Sequence, residues 1–288
     1  MRSDGREIVD MEMGDLMCDW RVPPAKLDLP QNTIHLWCTT LKQASVYKDE
    51  LRGTLTPDER AKAARILFSK DRDGFVAVRG ALRDILGRYT NRAPTDLKFF
   101  YGAYGKPHLA PSPGSVPLHF NSSRSDELGI FAVTQTHEVG IDVEVIKPCE
   151  DYEAIASSFF SPSEIQALCA FPPVRRLHTF LKYWTRKEAL SKALGTGFML
   201  DWTTFDVSPV PPERVQVMSN GPSKWSVYSF FPAPGYLGAL AFAGTNPTLK
   251  FWTWPGMAFS NLPIRIGEIG SSIIANSMHP VLSKQVTG

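Results

Sequence analysis

The chain has 288 residues, of which 43% are hydrophobic and 21% charged, a mixture typical of globular proteins rather than disordered, coiled-coil or fibrous ones. Its formal net charge of +2 provides no overall field that would attract nucleic acid. No run approaches the roughly 18 apolar residues of a membrane span, and the first residues do not resemble a secretory signal. Four widely spaced cysteines predict reduced thiols. We therefore expect a cytoplasmic protein.

The predicted elements divide the chain into four regions. Alternating apolar residues predict a first strand at 33–41, and two helical patterns follow at 57–68 and 73–89. Two strand-like runs, 129–133 and 140–145, are joined by a polar turn and predict a β-hairpin. In chain order, the predicted regions are an N-terminal arm (1–31), a first α+β half (32–134), a second α+β half (135–257) and a C-terminal tail (258–288).

The order of elements repeats after this hairpin. The sequences TPDE, from Thr56, and SPSE, from Ser161, are both capping boxes with proline at the first helical position, and they lie 105 residues apart. Phe75 and Phe180, in the helices that follow, have the same separation. The repeat predicts an α+β fold of two pseudo-symmetric halves with a cleft between them.

Two acidic side chains share one face of the strand GIDVEV. Strand alternation puts its apolar residues on one face and Asp142 and Glu144 on the other, roughly 7 Å apart along the strand. A hard divalent cation such as Mg²⁺ would relieve their repulsion. An ordinary amphipathic strand that faces water is the alternative interpretation.

A second charged group lies on the helical sequence LKYWTRKEALSK. Trp184, Glu188 and Lys192 recur every four residues and therefore share one helix face. Glutamate followed four residues later by lysine is also a routine surface ion pair. If this face met the acidic strand, Glu188 and Lys192 would add a third carboxylate and an ammonium group to the predicted metal site.

Several residues could contact an anion. The segment LHFNSSRSD contains small hydroxyl side chains beside Arg124, whose guanidinium suits a phosphate, and Lys106 lies in a Gly-Lys-Pro turn. An ordinary loop explains this segment without any ligand and is the default interpretation. The first helix pair also carries a basic face formed by Lys62, Arg65, Arg72, Arg79 and Arg83, for which a solvated helix surface is the default.

Taken together, these motifs resemble the 4′-phosphopantetheinyl transferases, specifically the long, two-halved surfactin-synthetase-activating (Sfp) type. Over roughly residues 33–245, the corresponding sequences are YGKP (from Tyr104), FNSSRS (from Phe120), GIDVE (from Gly140), FFSPSE (from Phe159) and WTRKEALSK (from Trp184). No nucleotide-binding glycine loop or serine-hydrolase elbow suggests a competing enzyme family.

The resemblance implies transfer of 4′-phosphopantetheine from coenzyme A (CoA) to a serine of an acyl or peptidyl carrier protein by a monomer, releasing 3′,5′-ADP. It implies that Asp142, Glu144 and Glu188 bind Mg²⁺, which Mn²⁺ could replace. Glu188 would accept the serine proton, directly or through a metal-bound water, and Lys192 would stabilise or protonate the leaving phosphate. Together with Asp142, these are the expected catalytic residues. The expected CoA contacts are Lys62, Arg79, Lys106, Ser123 and Arg124.

Two positions depart from the family pattern. Arg124 stands where the family has histidine, which preserves a cation but removes a group that could transfer protons. Gly74 replaces an arginine that would grip the 3′-phosphate of CoA, and Arg72 or Arg79 could substitute for it. A non-catalytic module that binds CoA or carrier protein with the same fold is therefore the alternative function, and an unrelated α+β protein is a third.

Overall fold

Two four-stranded sheets and a two-stranded hairpin form the framework of the computed structural model, which describes residues 16–111, 116–207, 225–244 and 246–255. The predicted tail, 258–288, lies outside the described residues. The strands are β1 (Leu16–Met17), β2 (Thr33–Thr40), β3 (Phe99–Tyr101), β4 (Pro107–Leu109), β5 (His119–Ser125), β6 (Leu128–Thr134), β7 (Val139–Val145), β8 (Trp225–Phe231), β9 (Tyr236–Ala243) and β10 (Thr248–Thr253). The α-helices are α1 (Leu41–Ser45), α2 (Lys48–Thr54), α3 (Pro57–Ala64), α4 (Ser69–Thr90), α5 (Tyr152–Phe159), α6 (Pro162–Ala170) and α7 (Pro173–Leu194).

The two large sheets have the same internal arrangement. In the first sheet, β6 lies antiparallel between β2 and β5, and in the second sheet β9 lies antiparallel between β7 and β8. Each sheet gains a parallel edge strand from the opposite end of the chain: β10 pairs with β2, and β1 pairs with β8. The predicted α+β architecture of two similar halves is confirmed, although these edge strands do not follow the predicted boundaries of the arm and the second half.

The predicted hairpin between 129–133 and 140–145 is wrong. Both strands form, but β6 already has a neighbour on each side and β7 pairs with β9 in the other sheet. Strand β6 instead forms a hairpin with β5, which turns at Asp126 with a φ of 46°. The segment between β6 and β7 is therefore the connection between the two sheets.

Both predicted capping boxes begin helices in the structure. The hydroxyls of Thr56 and Ser161 accept hydrogen bonds from the amides of Glu59 and Glu164 at 3.3 and 3.2 Å. Helix α3 ends at Ala64, four residues before the predicted end, and helix α4 begins at Ser69, four residues before the predicted start. Helices α4 and α7 each contain 22 residues.

The glutamate of each capping box also forms a buried ion pair with the long helix that follows. Glu59 accepts a hydrogen bond from Arg83 at 2.7 Å, and Glu164 lies 2.9 Å from the Lys187 ammonium group. Each cation also donates to two backbone carbonyls just beyond its helix. The side chain of Arg83 is only 1% exposed, so its predicted place on a solvated basic face is wrong.

Strand alternation sorts the apolar residues into three cores. One face of the first sheet packs against α4 and one face of the second sheet packs against α7. The opposite faces pack against each other through Ile34, Leu36, Ile130, Ile141 and Leu240. The protein is therefore layered as helix, sheet, sheet and helix, and the predicted acidic residues Asp142 and Glu144 lie where edge strands β5 and β7 meet.

Candidate active site

Alternate side chains of strand β5 form hydrogen bonds with strand β7. The hydroxyl of Ser123 donates to Asp142 Oδ1 at 2.8 Å, and the hydroxyl of Ser125 donates to Glu144 Oε2 at 2.7 Å. Asn121 Oδ1 accepts a hydrogen bond from the amide of Ile141 at 3.0 Å. These bonds join the two sheets and fix the direction of both acidic side chains. The segment that sequence reasoning treated as a loop is thus a strand.

Helix α7 lies directly on β7 because residue 140 is glycine. A Cβ atom at Gly140 would lie 2.0 Å from the carbonyl oxygen of Ala189 and 2.3 Å from the amide nitrogen of Ala193. Both neighbours are helix backbone, so any side chain at this position would push the helix away from the strand. This close approach brings Glu188 and Lys192 to the acidic face of β7.

The ammonium group of Lys192 lies among the acidic side chains. It is 2.6 Å from Asp142 Oδ1 and 3.9 Å from Glu188 Oε2, and it donates to the hydroxyl of Ser123 at 3.2 Å. Burial lowers the pKa of Lys192, but the neighbouring carboxylates outweigh this effect and the pKa is raised. Lys192 therefore remains a cation in contact with the acidic cluster.

One ammonium group does not balance three carboxylates. Burial, together with the nearby Asp142, raises the pKa of Glu144 to about 8. Burial also raises the pKa of Glu188 to about 7, although Lys192 opposes this rise. Both shifts indicate that removing water from the cluster has left its negative charge only partly compensated.

The chemistry of these side chains fits a hard divalent cation. Asp142 is buried, and its Oδ2 atom has no hydrogen-bond partner among the described residues. Carboxylate oxygens are the protein ligands that Mg²⁺ prefers. Within the described ranges, however, no three His, Cys, Asp or Glu side chains are close enough together to form a metal-binding group as they stand. Lys192 and the two serine hydroxyls occupy part of the cluster.

Lys106, an expected CoA contact, is instead held by three protein acceptors. Its ammonium group lies 2.6 Å from Glu138 Oε2 and 2.7 Å from the carbonyl oxygen of Ala193, with a longer bond to the carbonyl of Val139. The side chain is only 8% exposed. Lys106 thus ties the turn before β4 to the start of β7 and the end of α7, and its contact with CoA stays a prediction.

The other predicted cations lie on the first helix pair or against it. The Lys62 ammonium group is 5.6 Å from the centre of the Phe75 ring, and the Arg79 guanidinium is 3.5 Å from Glu59. Arg124 is adjacent to Ser123 on β5, but strand alternation directs it to the opposite face, toward α4. The structure therefore joins Ser123 to the acidic cluster and puts Arg124 in a separate place.

The comparisons with known proteins agree on one family. A model of the 4′-phosphopantetheinyl transferase superfamily matches residues 138–241. The chain is 37% identical to the 4′-phosphopantetheinyl transferase HetI of Nostoc sp. over 234 residues, covering 81% of this chain and 97% of HetI. The chain belongs to the 4′-phosphopantetheinyl transferase family. It is also 27% identical to the transferase Sfp of Bacillus subtilis over 190 residues, which cover 66% of this chain and 82% of Sfp.

This phosphopantetheinyl transferase has no helix, within its described residues, of the length and apolar character needed to span a membrane. The superfamily match runs from the residue before β7 to β9 and so includes Asp142, Glu144, Glu188 and Lys192, whereas β5 lies outside it. The superfamily match therefore contains the residues that the second half contributes to the site but not Ser123 of the first half.

Sequence reasoning missed three positions that shape the site of this transferase. Asn121 and Ser125, on β5, form hydrogen bonds with β7, and the lack of a side chain at Gly140 allows α7 to pack directly on β7. A signal for the first two was present, because residues 121, 123 and 125 are all small and polar at strand spacing. No local signal identifies the helix that packs against Gly140.

Proposed function

We propose that this transferase moves 4′-phosphopantetheine from CoA to a serine hydroxyl of an acyl or peptidyl carrier protein and releases 3′,5′-ADP. The observation that carries the proposal is the cluster at the β5–β7 junction, where Lys192 contacts Asp142 and Ser123 within reach of Glu188. A phosphoryl transfer needs a carboxylate that accepts the proton of the attacking hydroxyl and a positive charge that stabilises the phosphate oxygens. This cluster supplies both.

The reaction exchanges one phosphorus–oxygen bond for another. The carrier serine oxygen attacks the phosphorus bonded to pantetheine, and the bond from that phosphorus to the bridging diphosphate oxygen breaks, leaving its electron pair on 3′,5′-ADP. Glu188 accepts the serine proton. The positive charge of Lys192 stabilises the phosphate oxygen that leaves, while Asp142 and Ser123 orient its ammonium group.

Asp142, Glu144 and Glu188 would hold Mg²⁺, or Mn²⁺ in its place, which when bound neutralises the diphosphate charge. The unpartnered Asp142 Oδ2 and the raised pKa values of Glu144 and Glu188 support this assignment. Ser123 is the best placed of the expected CoA contacts because it already lies in the cluster, and we propose Lys62, Arg79, Lys106 and Arg124 as the other contacts.

One copy of the chain contributes every group in this mechanism. Ser123 comes from the first sheet and Asp142 from the second, while Glu188 comes from α7. We therefore propose that the transferase acts as a cytoplasmic monomer of two halves, 32–134 and 135–257, without nucleic acid or membrane as a partner.

The test is to incubate the protein with CoA, Mg²⁺ and several apo carrier proteins and to measure each carrier by intact mass spectrometry. We expect a mass increase of one phosphopantetheine group, its loss with a chelator, and a severe loss of rate in Glu188→Gln. Glu153→Gln, an exposed glutamate on α5, is the matched control and should retain the wild-type rate. If no carrier gains mass and CoA binds equally with and without Mg²⁺, the protein is a non-catalytic CoA-binding module.

A further inference from the structure

The segment that precedes β2 is attached to both large sheets. Residues Leu16–Met17 form β1 on the edge of the second sheet, whereas Arg21 pairs with β10 of the first sheet. The amide of Arg21 donates to the carbonyl of Phe251 at 3.1 Å, and the amide of Thr253 donates to the carbonyl of Arg21 at 2.8 Å. The residues between these two attachments therefore pass from one sheet to the other.

Trp20 contacts both sheets within this segment. Its ring meets the ring of Phe251, on β10, edge-on with 5.5 Å between the centroids. Its indole nitrogen donates to the carbonyl of Pro232, in the turn between β8 and β9, at 2.7 Å. The neighbouring Asp19 and Arg21 are exposed and form an ion pair with each other. Trp20 is therefore the side chain through which the segment links the first sheet to this turn.

The turn between β8 and β9 also contacts the end of β7. The carbonyl of Gly235 accepts a hydrogen bond from the amide of Ile146 at 2.7 Å. Within the turn, the amide of Tyr236 donates to the carbonyl of Ala233 at 3.1 Å. Because Ile146 follows Glu144 by two residues, the turn fixes the backbone of β7 just beyond this acidic side chain.

The backbone around Glu144 is thus held from two sides. From the first sheet, Ser125 donates to Glu144 Oε2 at 2.7 Å and accepts a hydrogen bond from the amide of Val145 at 3.1 Å. From the second sheet, the turn holds the amide of Ile146. Asp142, in contrast, lies in the middle of the β7–β9 ladder, away from the turn. A displacement of the turn would therefore move Glu144 with respect to Asp142.

We infer that Trp20 is a positioning residue, which through the β8–β9 turn sets the direction of Glu144 relative to Asp142. The inference rests on the proposed function only for the divalent cation that these carboxylates would hold. Two hydrogen bonds form the relay, one from the Trp20 indole to the turn and one from the end of β7 to the turn. The N-terminal segment thereby affects the acidic cluster from outside the reaction centre.

The test uses Trp20→Phe, which removes the indole N–H group but keeps an aromatic ring against Phe251. The amide of Ile146 should exchange its hydrogen about tenfold faster, because one hydrogen bond that holds the turn is lost. Mn²⁺, titrated without CoA and followed by electron paramagnetic resonance, should bind about tenfold more weakly, the lower end of the effect of groups that orient metal ligands. Val22→Ala, at an exposed residue of the same segment, is the control and should change neither quantity.

A second variant keeps the test decisive if Trp20→Phe folds poorly. Phe251→Leu removes the ring contact of Trp20 with the first sheet, and it should weaken Mn²⁺ binding in the same direction. Exchange at Ile146 that matches the wild type would overturn the inference, and so would exchange that is accelerated equally in β2 and β9, which indicates a general loss of stability.

Faster exchange at Ile146 with unchanged Mn²⁺ affinity would also overturn the inference, since the turn would then hold β7 without directing Glu144. A wild-type protein that binds no Mn²⁺ would instead contradict the metal assignment of the proposed function. Exchange at Ile146 needs no metal, and it would still decide whether Trp20 holds the end of β7.

Discussion

The two long helices are built alike but meet their sheets differently. Helix α7 lies directly on β7 at Gly140, whereas the residue 105 positions earlier is His35, whose ring fills the space below α4 and hydrogen-bonds with Tyr89 at 2.7 Å. At the same offset, Trp37 and Arg83 correspond to Asp142 and Glu188. The comparison teaches that one scaffold serves both halves, and that reactive side chains are brought together only where helix and strand touch.

The largest effect should come from removing the negative charge of Asp142, whose counterpart in the first half is Trp37. Asp142→Asn keeps the shape of the side chain but weakens its hold on Lys192 and on a divalent cation. We expect the rate of carrier modification to fall roughly 10³-fold, the scale seen when a preorganised charge is lost. The rate is measured by intact mass spectrometry and the fold by melting temperature.

Asp84→Asn is the control for this variant, because Asp84 is a partly exposed carboxylate on α4 in the first half. Its rate should match that of the wild type. A near wild-type rate in Asp142→Asn would show that the acidic cluster of the second half is not the reaction centre.

The buried ion pairs should show that the two scaffolds are equivalent. Lys187→Met leaves the buried Glu164 without its cation and should lower the free energy of unfolding by about 3–5 kcal/mol, whereas Arg83→Met leaves the buried Glu59 with only the more distant Arg79 and should cost somewhat less. Adding Glu164→Gln to Lys187→Met should recover part of the loss, because no charge then remains unpaired. Denaturant unfolding measures both, and a loss confined to one half would break the equivalence.

The contact between helix and strand should be less tolerant in the second half. Gly140→Ala forces its Cβ against the backbone of α7 and should cost about 1–3 kcal/mol, with a fall in transfer rate. Gly129→Ala is the matched change in the first sheet, where the Cβ meets side-chain methyl groups of Val78 and Thr39 at 3.1 and 3.3 Å. Gly129→Ala should cost less, and the reverse order in thermal unfolding would contradict the interpretation of Gly140.

The smallest effect concerns the connection between the halves. A hydrogen bond from His119, assisted by Lys106 and opposed by burial, lowers the pKa of Glu138 from 4.5 to about 2. Because the pKa of Glu138 is lower in the folded than in the unfolded chain, its ionised carboxylate stabilises the fold at pH values above the unfolded pKa. This contribution is lost as the pH falls from 4.5 toward 2. Glu138→Gln should therefore cost less than about 1 kcal/mol at pH 7, since the side chain is 41% exposed.

The stability difference between Glu138→Gln and the wild type should shrink steadily below pH 4.5. Denaturant unfolding at pH 7, 4 and 2.5 measures it. A difference that stays constant over this range would mean that the ionised carboxylate does not stabilise the connection.

Short-range patterns predicted the elements well and their pairing poorly. The capping boxes at Thr56 and Ser161 were predicted because each signal lies within four residues. The alternation that put Asp142 and Glu144 on one face was equally local. The β6–β7 hairpin was wrong because two strands and a polar turn look the same whether the strands pair or enter different sheets.

Charge patterns were ambiguous for a similar reason. Arg83 was assigned to a solvated helix face, and the spacing of Lys192 fitted a surface ion pair as well as a site, yet Arg83 is buried against Glu59 and Lys192 contacts Asp142. Spacing along a helix shows which residues share a face, but it does not show what that face meets. The segment from His119 was interpreted as a loop because its polar residues concealed a strand whose partner is another strand edge.

The sequence by itself determined the two halves, the capped helices and the set of candidate site residues, because these depend on periodicity and on side-chain chemistry. The tertiary structure alone decided that β5 and β7 meet edge to edge, that α7 touches β7 at Gly140, and that Arg124 lies on Gly74. Such contacts join residues far apart in the chain, and their free energy depends on the shape of both surfaces. A pattern of residues along the sequence describes one of those surfaces and does not show which other surface it meets.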